Sequence, residues 1–404
     1  MHLLFSSTSG MGHFNPLVPL IDAAVARGDD VLVVGPPKLE PTLAAREQAY
    51  RIGAAPAEAE VERFRELLAK ASPEEAEGMI DREFFGRLCT AAMLPSLEEA
   101  CDDWRPDLVL HETCEYSAAV AAGRRGIPHA QVAISLAQVE ASALAHTVPA
   151  LEAYGGEIGE QIMGSGYLTR FPPSVDPSPY PATRRFRETG PGEAGGPPSA
   201  PLPDWWEGNE APLVYVTFGT MAGGTAVGDA AFRAAVDAMS GLPIRVLLTV
   251  GRATDIQALG DVPANVHVES WVPQADVLDA ATAVVCHGGS GTTFGTLAAG
   301  LPLVIVPMFA DQPAIARLVE SAGAGLAVEP TGEPQGRTGV PAPGDAARIR
   351  QSLESILADD SYRQAARALA AEMRSLPTAR DLLGALLSEL VPGRSGTAHP
   401  HVDG

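Results

Sequence analysis

Two groups of residues have types and spacings suited to chemistry. The first lies in residues 271–312, WVPQADVLDAATAVVCHGGSGTTFGTLAAGLPLVIVPMFADQ. There the apolar run 283–286 meets His287, then Gly288, Gly289, Ser290, Gly291 and Thr292, then an apolar-periodic segment through Ala298. This pattern predicts a strand, a glycine turn and a helix start. Glycines let backbone N–H groups close on an anion, and the first-turn amides and dipole of a helix favour negative charge, so the expected ligand is a phosphate or pyrophosphate. A second apolar run, 303–306, ends at Pro307 and delivers Asp311 and Gln312 to another helix start. An acid and an amide beside such a cradle suit a nucleotide diphosphate whose far end carries hydroxyl groups.

The second group joins His13 to Glu112. His13 sits in the loop STSGMGHFNP after the apolar run 3–6, and Glu112 follows the run 108–111. At the carboxyl ends of parallel strands both side chains reach the same edge of a sheet, where ligands bind. A carboxylate beside an imidazole orients its tautomer and stabilises the imidazolium formed when the histidine takes a proton. Asp107 lies at the wrong end of its strand for this, and alternation turns His111 away, as core or surface. The Gly10-x-Gly12 pair lacks the third glycine of a dinucleotide loop, and no acid closes the run 31–34 to hold a ribose.

Strands and helices must position these groups. After the run 3–6 comes a helical pattern closed by Gly28, then the run 31–34; residues 116–124 read as a helix behind Glu112. Residues 190–209 are rich in Gly, Pro, Ser and Glu and read as a linker. A new strand, 213–218, runs into Gly219 and Thr220, with further strands at 244–250 and 266–269 and helices from 345 to 391, broken near Asp359 and Pro377. Two strand–helix series predict an α/β protein of two doubly wound parallel-sheet, Rossmann-like domains facing across a cleft. The expected division is an N-terminal domain at 1–200, the linker's end at 201–212, a C-terminal domain at 213–376 and a disordered tail at 392–404.

Composition limits the partners. The 404 residues carry 28 basic and 50 acidic side chains, a net charge of −22, which opposes binding to nucleic acid or to anionic membrane surfaces. A bound phosphate must therefore rely on local amides and dipoles. The 4 cysteines lack metal-type spacing and fit reduced thiols in a cytosol. Polar residues 6–12 interrupt the first apolar run, so no signal peptide is expected, and no apolar run is long enough to span a bilayer. A cytoplasmic protein, monomer or homodimer, is the expectation.

The ordered elements Trp271-x-Pro-Gln274, His287-Gly-Gly-x-Gly-Thr292, Gly300-x-Pro302 and Asp311-Gln312 resemble the donor signature of family 1 nucleotide-sugar glycosyltransferases, which have the GT-B architecture. The likeness covers nearly the whole chain, and the segment YLTRFPP at 167–173 resembles the antibiotic-tailoring members. It implies that Trp271 stacks on the base, Val272 reads it through its backbone and Gln274 belongs to the same donor site. It further implies that Gly219 and Thr220 lie beneath the diphosphate, that His287 and the amides of Gly289, Ser290, Gly291 and Thr292 stabilise it, and that Asp311 and Gln312 hold the sugar. His13 in GMGHFNP matches the base that deprotonates the acceptor. Glu112 stands where the family usually has an aspartate. The helical region 53–100 and residues 136–167, whose plain reading is ordinary core, match the acceptor pocket, with Met11, Phe14, Phe64, Met79, Phe84 and Leu136 as its apolar lining. A last helix, within 377–391, is expected to fold back onto the N-terminal domain.

The activity implied is inverting transfer of a deoxysugar from a nucleotide diphosphate to a hydrophobic, polyketide-like acceptor. No cofactor or metal is expected, since the chain has no Asp-x-Asp and no clustered His/Cys ligands. Thymidine diphosphate is the expected carrier: uridine-using members commonly have a glutamate eight residues after the signature histidine, and Gly295 stands there. Two alternatives share the architecture. A nucleotide-sugar epimerase would not need an acceptor pocket, and a non-catalytic sugar-nucleotide-binding auxiliary protein would need neither His13 nor Glu112.

Overall fold

A first sheet is built from β1 (His2–Ser6), β2 (Asp30–Gly35), β3 (Ala49–Ile52), β4 (Leu108–Glu112), β5 (His129–Val132), β6 (Gly166–Thr169) and β7 (Thr183–Arg185) in a computed structural model that describes residues 1–188, 200–219, 223–334 and 338–391. Its spatial order is β3-β2-β1-β4-β5-β6-β7, and every pairing is parallel. A second sheet comprises β8 (Leu213–Thr217), β9 (Arg245–Thr249), β10 (Val266–Glu269), β11 (Ala283–Cys286), β12 (Leu303–Ile305) and β13 (Gly325–Ala327), all parallel, in the order β10-β9-β8-β11-β12-β13.

Parallel sheets are covered on both faces, which is why their central strands are buried throughout rather than alternating. Every residue of β4 and of β8 is buried. Leu3, Phe5, Leu108 and Leu110 enter one core of the first unit, while Leu4 and Val109 enter another. The second unit is organised around Val214, Val216, Val246, Val285 and Val304. Among the described residues no helix is long and apolar enough to cross a membrane.

The chain divides into two units. One holds Met1–Arg170, Pro177–Glu188 and the segment starting at Pro377; the other holds Phe171–Asp176 and Thr189–Leu376. The short stretch 171–176 joins the second unit. Residues 189–199 of the expected linker, and the tail 392–404, lie outside the described residues. The linker's end is built into the second unit: the Trp206 indole donates to the Asn265 carbonyl at 3.3 Å, and Trp205 stacks on His267 at 4.5 Å.

The last helix, Ala379–Leu390, starts with a capping box between Thr378 and Asp381. It packs on helix Val18–Arg27, with Leu382, Leu383, Leu386 and Leu387 buried beside Leu17, Leu20 and Ile21. Helix packing of the first unit also includes a wide π-helical segment, Ile80–Cys89, against helix Ala137–Leu151.

In each sheet the chain runs outward in one direction, then returns to the centre and runs outward in the other. The reversals fall between β1 and β4 and between β8 and β11. At such a switch point the loops leaving the carboxyl ends of two neighbouring strands diverge and leave a crevice.

Candidate active site

In the first unit the switch point is occupied by His13 and Glu112. Ser6, the last residue of β1, pairs with His111, so Glu112 lies one step beyond the end of β1. The loop leaving β1 turns into a short helix, Met11–Phe14, that carries His13 back over it. His13 Nδ1 stands 3.2 Å from Glu112 Oε2; the carboxylate is fully buried and the imidazole is 23% exposed. Three further donors converge on the same carboxylate. The Thr8 hydroxyl and N–H donate to Oε1 at 2.6 and 3.0 Å, and the Cys114 N–H donates to Oε2 at 2.7 Å. Burial pushes the carboxyl pKa up, but the charge and hydrogen bond of His13, with Thr8 and Cys114, outweigh it and hold it below the usual carboxylate range. Glu112 is thus an ionised acceptor. It favours a proton on Nδ1, which leaves Nε2 with the lone pair.

Thr8 has no counterpart in the sequence reading. Its hydroxyl also lies 3.1 Å from His13 Nδ1, so it braces both members of the pair. Phe85, from the π-helical segment, packs its ring 5.5 Å from that of His13. His111 is fully buried, with Nε2 3.2 Å from His129 Nδ1; burial lowers its pKa to about 4 and that of His129 to about 3. It is a core residue.

A ring nitrogen of His13, a Glu112 oxygen and the Cys114 sulfur lie within 4.8 Å of one another. As a metal ligand set they fit poorly. Burial, reinforced by Glu112 and Glu140, pushes the Cys114 thiol well above its usual pKa, and both Glu112 oxygens already accept hydrogen bonds.

In the second unit the switch point carries the glycine turn. β8 ends at Thr217 and leads to Gly219, whose φ is +73°; β11 ends at Cys286 and leads to His287. The His287 ring fills the gap between the two loops so closely that a Cβ on Gly219 would meet it at 2.8 Å and one on Gly289 at 2.4 Å. Burial lowers the His287 pKa to about 4, against the pull of the Thr217 backbone, so the ring is neutral at pH 7 and donates from one nitrogen only. Helix Ser290–Ala298 begins here with Gly289 as its N-cap and no side-chain cap. Its first α-helical bond is Thr293 N–H to the Gly289 carbonyl, so the amides of Ser290, Gly291 and Thr292 precede the ladder.

Trp271, just past β10, is 51% exposed, and Val272 follows it half-buried. Gln274 lies against the cradle helix: Thr292 Oγ1 is 3.3 Å from its Oε1, and a Cβ on Gly295 would meet its Nε2 at 2.6 Å. Asp311 precedes helix Gln312–Ser321 and follows Ala310, a non-glycine residue held at φ +55°. Thr220 lies outside the described residues.

Comparison with known proteins now bears on the family. Residues 48–150 match the family model "Erythromycin biosynthesis protein CIII-like, N-terminal domain", and residues 233–389 match the corresponding C-terminal domain. The elloramycin glycosyltransferase ElmGT of Streptomyces olivaceus is 31% identical over 413 residues, covering 96% of this chain and 97% of that protein. The chain belongs to the erythromycin CIII-like glycosyltransferases. The fold agrees: this glycosyltransferase superposes on SnogD of Streptomyces nogalater with a TM-score of 0.74 at 24% identity, covering 96% and 99% of the two chains. It superposes on Streptomyces sp. SF2575 SsfS6 complexed with thymidine diphosphate at 0.72 and 25% identity, with the same coverage. It is therefore a sugar-transferring enzyme built from two parallel-sheet α/β domains of the GT-B kind.

Several expected positions are corrected within this glycosyltransferase. Phe14 is one residue past His13, but the helical turn directs it into the core with Leu3 and Leu17, where it is 1% exposed. Phe64 and Leu136 are also buried, Phe64 against Phe84 with ring centroids 5.7 Å apart. None of the three presents a free apolar surface, whereas Met11, Met79 and Phe84 remain partly exposed. Gln312 is buried, and its carboxamide oxygen accepts from the N–H groups of Met308 and Phe309 at 2.8 and 3.1 Å. Only its NH₂ group remains for a sugar hydroxyl.

Glu112→Gln tests the pairing directly. The amide keeps the size but loses the charge, and turnover should fall by roughly tenfold, less than for loss of the base itself. Steady-state kinetics with unchanged donor KM checks this; unaltered turnover would place the supporting acid elsewhere. The lowered folded pKa means that Glu112 stabilises the native state above the unfolded carboxyl pKa and ceases to do so as the pH falls through its folded value.

Proposed function

We propose that this glycosyltransferase moves a deoxysugar, with inversion at the anomeric carbon, from thymidine diphosphate to a hydrophobic natural-product acceptor of polyketide type. The observation that carries this reading is the His13–Glu112 pair at the β1/β4 switch point, with Nδ1 against a buried carboxylate. His13 Nε2 removes the proton of the acceptor hydroxyl as its oxygen attacks the anomeric carbon from the face opposite the nucleotide. The resulting imidazolium is stabilised by Glu112. The departing diphosphate is received by the amides of Ser290, Gly291 and Thr292, preorganised donors that act without a reorganisation cost, while the neutral His287 ring, engaged with the Thr217 backbone, packs against their turn. Trp271 stacks on the base, the Val272 backbone reads it, and Asp311 and the Gln312 NH₂ group bind sugar hydroxyls. Elloramycin glycosyltransferase and the SsfS6 complex with thymidine diphosphate support the choice of acceptor class and carrier. Mass spectrometry of incubations with thymidine diphosphate sugars and aromatic or macrocyclic aglycones tests it; sugar conversion without any aglycone would overturn it in favour of epimerisation.

The helix dipole and amides replace a divalent cation in this mechanism. Full turnover should survive EDTA, and restoration of a lost activity by Mg²⁺ or Mn²⁺ would overturn that point.

Thymidine diphosphate should bind more tightly than uridine diphosphate. Gly295 offers no carboxylate to a ribose 2′-hydroxyl, and an unpaired buried polar group costs about 1–3 kcal/mol. Isothermal titration with the two nucleotides decides it, and equal or tighter uridine diphosphate binding would refute it. Gly295→Glu should shift the preference toward the ribonucleotide, but it must first displace the Gln274 amide that packs on Gly295.

A further inference from the structure

Arg252 has no part in the functional reading above, yet its placement is specific. It lies two residues beyond Val250, in the turn leaving β9, the strand next to β8. That turn is tied down on several sides. The Val250 N–H donates to the Glu269 carbonyl at 3.1 Å, the Thr254 N–H to the Gly251 carbonyl at 3.2 Å, and the Thr254 hydroxyl to the Val250 carbonyl at 2.7 Å. Gly251 has φ +83°, and a Cβ on it would lie 3.9 Å from the Gly219 carbonyl oxygen. The turn thus abuts the loop that touches His287.

From this anchored turn the Arg252 guanidinium lies over the indole of Trp271, 4.8 Å from the ring centroid. A cation on an aromatic face is favourable, and a guanidinium also stacks by its plane. No carboxylate holds Arg252 among the described residues. The acids next to this turn are committed elsewhere: Asp255 accepts the Gln257 N–H at 3.0 Å, and Glu269, whose carbonyl holds the Val250 N–H, pairs with His267 at 2.9 Å. In a chain of net charge −22, a cation held on an exposed tryptophan, with no carboxylate partner among the described residues, is a local departure from the general sign of the molecule.

We propose that Arg252 is a donor-binding residue, which covers one face of Trp271 and supplies the countercharge for the diphosphate of the nucleotide bound beside it. The assignment rests on the donor site proposed above. The covered face leaves the other for the base, and the charge acts on the phosphates rather than on the nucleoside.

The test is isothermal titration of the full chain and of Arg252→Met and Arg252→Lys with thymidine and with thymidine diphosphate, at low and high salt. Met keeps an apolar stem on the indole without charge. Arg252→Met should weaken thymidine diphosphate by about tenfold, the weight of a partly exposed charge pair, while thymidine changes by less than about twofold. Arg252→Lys should retain most of the diphosphate preference, and the salt dependence of diphosphate binding should be shallower in Arg252→Met than in the parent. Equal weakening of both ligands, or of neither, would overturn the proposal. A parent protein that binds thymidine diphosphate no better than thymidine would overturn the donor assignment itself and the role of Arg252 with it.

Discussion

Replacing His13 by alanine should lower turnover by roughly 10² or more, the usual contribution of a positioned general base. Thymidine diphosphate affinity should stay within about twofold, because the base and the diphosphate cradle are built on different units of the chain. Single-turnover kinetics and titration of the nucleotide measure the two effects separately. Parallel loss of both would mean that His13 shapes the fold rather than takes a proton. The substitution leaves Glu112 with the Thr8 and Cys114 donors, so the buried carboxylate is not stranded. A folded but inactive protein is expected.

The second large effect should come from Gly289→Ala. The added methyl group would lie 2.4 Å from His287 Nε2 and 2.8 Å from Cε1, so the ring or the turn must shift to admit it. Overpacking a site of this kind costs about 1–3 kcal/mol. Relaxation would move His287 or the first turn of the helix at Ser290, the turn proposed to receive the diphosphate. Nucleotide affinity should therefore fall by about tenfold or more, each tenfold corresponding to about 1.4 kcal/mol. Turnover at saturating donor should suffer less. Titration of thymidine diphosphate checks the expectation, and affinity equal to the parent's would show that the imidazole has room the geometry denies it. Gly219→Ala meets the same edge of the ring at 2.8 Å, with the added strain of a φ of +73°, and should behave alike.

The parts legible in the sequence were those in which local chemistry and tertiary role coincide. The apolar run of β11 is buried on both faces, and the same run ending in His287 and three glycines announces a turn before a helix. Glu112 was placed because a strand only five residues long leaves little freedom about which end it occupies. The edge strands β7 and β13 were not legible, although the edge strand β10 was: β7 is Thr-Arg-Arg and β13 is Gly-Leu-Ala, each three residues, too short and too mixed to show a period. Which of Phe84 and Phe85 meets His13 was not legible, because residues 80–89 wind as a π-helix, whose faces do not follow the α-helical period. Thr8 left no signal beyond being one hydroxyl among several in STSG; its importance comes from a carboxylate 104 residues away. The commitment of Gln312 to two backbone amides was equally hidden, since an amide in a ligand motif looks the same whether it faces a ligand or its own loop.

The helix Ala379–Leu390 completes the core of the first unit, although the whole of the second unit precedes it along the chain. On the ribosome, the second unit can therefore close while the first still waits for its final helix. Until then Leu17, Leu20 and Ile21 lack the leucines that cover them, and a nascent chain stalled near residue 376 would present that apolar strip to chaperones or to its neighbours. A protein stopped at that point would carry every residue of the diphosphate cradle and both members of the His13–Glu112 pair, and yet be prone to aggregate.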